Sequence, residues 1–269
     1  GTPGPALKGP RPASARAVPS PGAEADTTTV YDHLAARTDP GDRLGDLGGG
    51  SDHVGFYTYA GVPSASGGFS GTTPVYHSAY DNFAWFKRFA DTSFVYGPAL
   101  ARLDGTLALR LANAEVLPYD VARYAEDLRG HVEALATRAE ASNRPLSFAG
   151  LTATIDTLAQ AAAAFEQARA ERLADGPPPN ASALNDTLLS LEQAFLHADG
   201  MPFGDQYRSL YASPNPFNGY ASWMLPGLRH PIETEAPADT IDRWTAVYRD
   251  AIETLTGRVR AATAQVRGR

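Results

Sequence analysis

Apolar positions recur at intervals of three and four residues in four stretches of the second half of the chain. Val121, Tyr124, Leu128, Val132 and Leu135 form one stripe. Leu151, Ile155, Leu158, Ala162 and Phe165 form a second, and Leu184, Leu188, Leu191 and Phe195 a third. Trp244, Tyr248, Ala251, Leu255, Val259, Ala262 and Val266 form the fourth. Such a stripe lies on one face of a helix and must be buried against a partner. Four of them predict a helical bundle. Pro118-Tyr119-Asp120 and Gly176-Pro177-Pro178-Pro179 mark helix starts and stops. Residues 201–237 break the pattern with prolines and with Tyr207, Tyr211, Phe217, Tyr220 and Trp223. A long irregular segment inside a compact domain is often functional.

The first 110 or so residues have a different texture. Residues 45–50 are glycine-rich and lead into Ser51-Asp52. Residues 53–60, HVGFYTYA, carry β-formers and read as a strand, punctuated by Gly61-Val62-Pro63. Residues 64–73 read as a small, polar, glycine-rich loop. Residues 81–96 place Phe83, Phe86, Phe89 and Ala90 on roughly one helical face. A strand, a loop and a helix in that order predict part of an α/β layer. Residues 1–25 are rich in Pro, Ala and Gly and lack the apolar core of a signal peptide, so they read as a linker or a ragged start.

Composition narrows the field. The chain has 269 residues, 43% hydrophobic and 20% charged, which suits one or two globular domains. The net charge is −7, which argues against a nucleic-acid partner. There is no cysteine, so disulfides, thiolate zinc sites and a cysteine nucleophile are excluded. No run of about 18 apolar residues exists, so no membrane span is expected.

Few residues carry chemistry by spacing alone. The six histidines form no H-E-x-x-H pair. His131 and His197 fall in the bundle and are assigned to packing. His77 stands apart, flanked by Tyr76 and Tyr80 and close in sequence to the glycine-rich loop. Ser51-Asp52-His53 reads as a polar turn, because adjacency is not triad geometry and no G-x-S-x-G elbow is present. Gly48-Gly49-Gly50 lacks a P-loop lysine and indicates a close approach of backbone to a ligand or neighbour, or a flexible turn.

Several blocks together carry a resemblance. They are Thr29-Val30-Tyr31-Asp32-His33-Leu34, Leu47-Gly48-Gly49-Gly50-Ser51-Asp52, Pro74-Val75-Tyr76-His77-Ser78-Ala79-Tyr80-Asp81 and Leu111-Ala112-Asn113-Ala114-Glu115-Val116-Leu117-Pro118. Leu191-Glu192-Gln193-Ala194-Phe195 and Ala212-Ser213-Pro214-Asn215, leading to Tyr220-Ala221, follow in register. The series resembles the C-terminal half of the glutamate carboxypeptidase II and transferrin receptor family.

The resemblance implies an α/β fragment followed by an all-α four-helix-bundle domain. Residues 1–28 are then a linker or disordered start, residues 29–115 the C-terminal part of a peptidase-like α/β domain, and residues 116–269 a transferrin-receptor-like dimerisation domain. Family peptidases bind two zinc ions and a peptide substrate and form a homodimer through the helical domain. By resemblance His77 is a zinc ligand, and Tyr76 is catalytic as a donor to the tetrahedral intermediate. Gly50, Ser51, Asn218 and Tyr220 bind substrate. An extracytoplasmic location, periplasmic or secreted, is expected on the same ground.

Departures from the family pattern modify this picture. Residues 1–30 contain no match to the family's other zinc ligands or its glutamate base, so the chain is expected to be inactive alone. Gly67, Gly68, Phe69 and Gly219 stand where an acid-preferring enzyme places cations, which argues against acidic substrates. The competing expectation is a non-catalytic, transferrin-receptor-like interaction module.

Overall fold

The structure, a computed structural model, describes residues 2–3, 5–21, 28–36, 44–69 and 74–268. In chain order it contains β1 (Thr2–Pro3), a 3-10 turn (Pro5–Leu7), α1 (Pro10–Ala15), α2 (Val30–Ala35), α3 (His53–Ala60) and β2 (Ala65–Ser66). Then come α4 (Phe83–Trp85), a π-helical turn (Phe86–Ala90), α5 (Tyr96–Ala112), α6 (Ala122–Ala141), α7 (Ala149–Ala174) and α8 (Ala181–Leu189). A 3-10 segment (Glu192–Phe195), β3 (Ala212–Pro214), β4 (Ser222–Met224), α9 (Pro226–Glu233) and α10 (Ala238–Val266) complete it. Two compact units result. One comprises residues 9–45 and 67–114, the other residues 2–8, 46–66 and 115–269.

The larger unit is built where the stripes lie. α7 packs along both α6 and α10, and α8 and the Glu192–Phe195 segment pack on α10. Leu151, Ile155, Leu158, Ala162 and Phe165 of α7 are fully buried, as are Tyr124 and Leu128 of α6 and Leu255 of α10. The third stripe is divided: Leu184 and Leu188 belong to α8, while Phe195 belongs to the 3-10 segment. Three long helices, one short helix and a 3-10 segment therefore carry the four stripes, not four continuous helices.

The irregular stretch 201–237 is organised around an antiparallel hairpin. β3 pairs β4 with Ala212 opposite Met224, Ser213 opposite Trp223 and Pro214 opposite Ser222. Trp223 is fully buried. The Tyr248 hydroxyl of α10 donates to the Leu210 carbonyl at 2.7 Å and accepts the Gly227 N–H at 3.0 Å. One side chain thus fastens both flanks of the hairpin to the longest helix.

The expected strand at residues 53–60 is a helix, α3. Its residues are strong β-formers, but the punctuation around them is helical. Gly61 adopts φ 63°, a left-handed stop that glycine takes without strain. Its N–H donates to the Tyr57 carbonyl at 3.2 Å. Tyr57 and Thr58 point inward while Phe56 and Tyr59 are exposed, a pattern that strand alternation cannot produce. Among the described residues of the stretch 29–115, the only named strand is Ala65–Ser66, which pairs with β1. The α/β layer expected there is thus replaced by helices.

The smaller unit has its own core. Ala15, Val18, Ala99 and Leu103 are buried together, with Val30, Tyr31 and Leu100 packed against them. A capping box starts α2: the Thr29 hydroxyl accepts the Asp32 N–H, and the Asp32 carboxylate accepts the Thr29 N–H. The helix expected over 81–96 is interrupted. The π-helical turn ends at Ala90, and buried Asp91 then accepts the N–H groups of Val95 at 2.9 Å, Tyr96 at 3.0 Å and Gly97 at 3.3 Å. These are orphan donors at the start of α5, so Asp91 ends one helix and begins the next. Phe83, Phe86 and Phe89 are exposed, not aligned on a buried face.

Residues 1, 4 and 22–27 of the expected linker, and residues 70–73 of the expected loop, lie outside the described residues. The described part of the first segment includes buried Ala6 and Leu7 and helix α1. Among the described residues no helix is long and apolar enough to cross a membrane.

The packing of α7 is directly testable. Phe165→Ala is expected to lower the unfolding free energy by about 3–5 kcal/mol, the usual range for a buried Phe truncation. Urea titration of the two proteins measures it, and a loss below about 1 kcal/mol would mean that this face of α7 is not packed.

Candidate functional site

The sequence-derived candidates fall into two groups, one in each unit. In the larger unit the structure brings Gly50, Ser51, Asn218 and Tyr220 onto two neighbouring loops. The Gly49 N–H donates to the Tyr220 carbonyl at 2.7 Å. The Ser222 hydroxyl donates to the Asp46 carbonyl at 2.7 Å. These two bonds join the glycine loop to the turn between β3 and β4.

Side chains would prevent this approach. A Cβ on Gly49 would lie 2.0 Å from the Gly219 carbonyl oxygen, and one on Gly48 would lie 2.6 Å from that of Tyr220. At Gly50 a Cβ would meet the Tyr220 ring at 2.8 Å, and φ is +81°. Of the alternatives the sequence left open, the close approach to a neighbour is realised.

The opposing turn is self-supporting. Asn218 Oδ1 accepts the N–H groups of Tyr220 at 2.9 Å and Ala221 at 3.2 Å. Asn215 Oδ1 accepts the Phe217 N–H at 2.8 Å, and the Asn215 N–H donates to the Ala221 carbonyl at 2.8 Å. Gly219 takes φ +76° between them. Tyr220 is left 58% exposed, with its backbone held and its ring presented. Ser51 is exposed at the end of the glycine loop. His53 Nε2 donates to the Gly48 carbonyl at 3.2 Å, so the Ser51-Asp52-His53 run supports the loop's shape.

In the smaller unit Tyr76 and His77 sit in a tight turn. The Val75 carbonyl accepts both the Ser78 N–H at 3.0 Å and the Ser78 hydroxyl at 2.6 Å. His77 adopts φ 61°, a left-handed conformation uncommon for a residue with a Cβ. Its ring stacks on that of Tyr76, with centroids 3.9 Å apart and planes inclined by 22°. Both side chains are exposed, as are Tyr80, Phe83 and Phe89 along the following segment. Strained residues of this kind cluster at functional sites.

The donor set can be compared with what zinc requires. A catalytic zinc takes about three protein ligands and an open position. Among the described residues there is no group of three or more His, Asp or Glu side chains that could hold a metal ion. His77 and the other described residues therefore do not fit a zinc centre by themselves.

Comparison with known proteins gives these features a context. Residues 146–266 match the transferrin receptor-like dimerisation domain. The chain is 32% identical over 223 residues to "Probable glutamate carboxypeptidase LAMP1" of Arabidopsis thaliana, an alignment covering 82% of this chain and 32% of the relative. It is 33% identical over 184 residues to "Aminopeptidase NAALADL1" of Mus musculus, covering 64% and 25%. The chain belongs to the glutamate carboxypeptidase and transferrin receptor family. A third family relative, "Probable glutamate carboxypeptidase" of Arthroderma benhamiae, is 28% identical over 214 residues and covers 77% and 29%. The chain thus spans about a third or less of the length of these family members.

One set of polar residues in this family chain was not found by sequence reasoning. Lys8, Asp127 and Glu192 are buried in the larger unit. Lys8 Nζ lies 2.7 Å from Asp127 Oδ2 and 3.3 Å from Asp46 Oδ1. The Tyr211 hydroxyl donates to Asp127 Oδ2 at 3.1 Å. His131, assigned to packing, has its ring edge-on to Tyr211 and 3.8 Å from Asp46. His197 packs edge-on against Trp244. The available signals were a near-absence of lysine elsewhere and Glu192 standing inside an apolar stripe.

The glycine contacts lead to a definite outcome. Gly49→Ala should force the two loops apart and cost about 1–3 kcal/mol, the range for overpacking. Gly55→Ala, with nothing within 4 Å of the added methyl, should be neutral or slightly stabilising in α3. Thermal denaturation of both variants compares them directly.

Proposed function

We propose that this chain is the C-terminal portion of a zinc-dependent metallo-exopeptidase of the family, and that it is inactive alone. The observation that carries the reading is the Tyr76-His77 pair, adjacent, stacked and exposed in a strained turn. In this reading His77 is one zinc ligand, and the ligands that complete the set come from sequence other than these residues. Tyr76 donates a hydrogen bond to the oxyanion that develops as the peptide carbonyl becomes tetrahedral. A donor aimed at developing charge is worth about 10²–10³ in kcat.

Gly50 and Ser51 would touch the substrate carbonyl and free carboxylate, and Asn218 would hold Tyr220 against the C-terminal side chain. Gly219 leaves open space beside that ring. With Gly67, Gly68 and Phe69 in place of cations, neutral or apolar C-terminal residues are the preferred substrates, because an unpartnered carboxylate is costly to bury. The exposed aromatics from Tyr76 to Phe94 support an incomplete peptidase unit, since large exposed apolar patches mark interaction surfaces.

The helical residues form the homodimer in this reading. Ala162 is fully buried within the unit, whereas Ala163 and Ala164 are exposed on α7 and let a second helix approach closely. A two-fold pairing is the commonest way to cover such a face. The second reading, a non-catalytic dimerisation module, draws on the match of residues 146–266 to a dimerisation domain.

Zinc content separates the two readings from an error in both. Mass spectrometry of the purified chain should find substoichiometric zinc, and tight stoichiometric zinc would contradict an incomplete donor set. Light scattering at micromolar concentration should give a dimer mass. Ala163→Glu or Ala164→Glu should halve that mass with helicity kept, while Ala162→Glu should unfold the chain. A monomer that persists on concentration rules out the homodimer.

A further inference from the structure

Glu192 is the most deeply buried acid of the larger unit, and its surroundings come from every element packed against it. Its own 3-10 segment follows Ser190, whose carbonyl accepts from Arg258 of α10. From α6 the Tyr124 hydroxyl donates to Glu192 Oε1 at 3.0 Å. From the N-terminal segment the Ala6 amide donates to the same carboxyl. From α3 the Tyr57 hydroxyl, itself almost fully buried, faces the carboxyl with Ser209 beside it and makes no tight hydrogen bond to either. Tyr119 approaches from the chain leading into α6, and Tyr211 from the hairpin side.

The charges nearby are already paired among themselves. Lys8 bridges Asp46 and Asp127, and Arg123 Nε lies 2.9 Å from Asp127 Oδ1. Two cations therefore face two carboxylates. His131 adds no fixed charge: burial holds its imidazole below the ordinary range, and its Nε2 has no hydrogen-bond partner among the described residues. Glu192 forms no ion pair among the described residues, so ionising it adds a buried negative charge that no cation answers. Such a charge is costly.

We propose that Glu192 is the proton-binding residue of a pH-sensitive clamp that holds the segment Ala6–Lys8 and helix α3 against α6. When neutral, its carboxyl accepts from Tyr124 and Ala6 and can donate its own proton to the Tyr57 hydroxyl, which satisfies all three elements at once. When ionised, it still accepts from Tyr124 and Ala6 and can accept from Tyr57, but it is a buried charge that no cation answers, with Asp127 nearby as a like charge. The same segment carries Lys8, which pairs with Asp46 at the root of the glycine loop. Loosening the clamp therefore loosens the anchor of Gly48–Ser51. This inference holds whether or not the chain is part of a peptidase.

The sign follows from linkage. Burial raises the Glu192 carboxyl from about 4.5 to about 7. The folded chain then holds a proton that the unfolded chain has released, so stability is greatest below about pH 4.5 and is lost as pH rises through about 7. His131 acts in the opposite sense, since its lowered value gives stability above its ordinary range that is lost in acid. A comparison between wild type and Glu192→Gln cancels the histidine contribution.

Urea titrations of the full 269-residue chain and its Glu192→Gln variant, at intervals from pH 5 to pH 8, test the clamp. The variant should gain on wild type as pH rises, with the ratio of folding constants changing on the order of a hundredfold over the range. A difference that stays constant across pH overturns the proposal. If the variant fails to fold, a carbon-13 titration of the wild-type glutamate carboxyls decides. One group titrating near neutral pH supports the clamp, and all groups titrating in the ordinary carboxylate range refute it.

Discussion

Two stretches of backbone meet side to side where the glycine loop touches the turn after β3, and the presentation of Tyr220 depends on that meeting. The Gly49 N–H reaches the Tyr220 carbonyl because three successive residues lack a Cβ. The turn is a fixed target because Asn215 and Asn218 satisfy its amides from within. The hairpin beneath it is fixed in turn by buried Trp223 and by Tyr248, which bonds both the Leu210 carbonyl and the Gly227 amide. The position of an exposed ring is thus set by helix packing several residues away.

The other end of the glycine loop is held electrostatically. Asp46 accepts from Ser222 through its carbonyl and pairs with buried Lys8 through its carboxylate. Lys8 is paired again with Asp127, itself bonded by Tyr211 and Arg123. A buried pair of this kind gains little net stability over apolar packing, but losing one partner leaves an uncompensated charge. The arrangement therefore specifies where the N-terminal segment and the loop must lie, and Glu192 makes that specification sensitive to protons.

The helical architecture was readable because it depends on period. The stripes from Val121 to Val266 fall on buried faces, since a face of long apolar side chains has only one place to go. The family was readable from blocks such as Pro74–Asp81, whose largely exposed side chains are not explained by packing. The strand assigned to residues 53–60 failed because local propensity favoured β while Gly61 and the burial of Tyr57 decided for helix. The interrupted helix before Tyr96 was illegible because Asp91 acts only through its geometry, collecting three amides at once. The Lys8, Asp127 and Glu192 cluster was illegible for a related reason: its members are 184 positions apart at the extreme (192 less 8), and burial of a charge is a property of the folded chain.

Amide hydrogen exchange at Gly49 addresses the account most directly. If its N–H is held by the Tyr220 carbonyl in a loop anchored at both ends, it should exchange as slowly as amides in the middle of α3, far more slowly than an exposed glycine. Exchange at the rate of an unstructured loop would show that the two backbones do not meet, and the positioning of Tyr220 described above would be wrong.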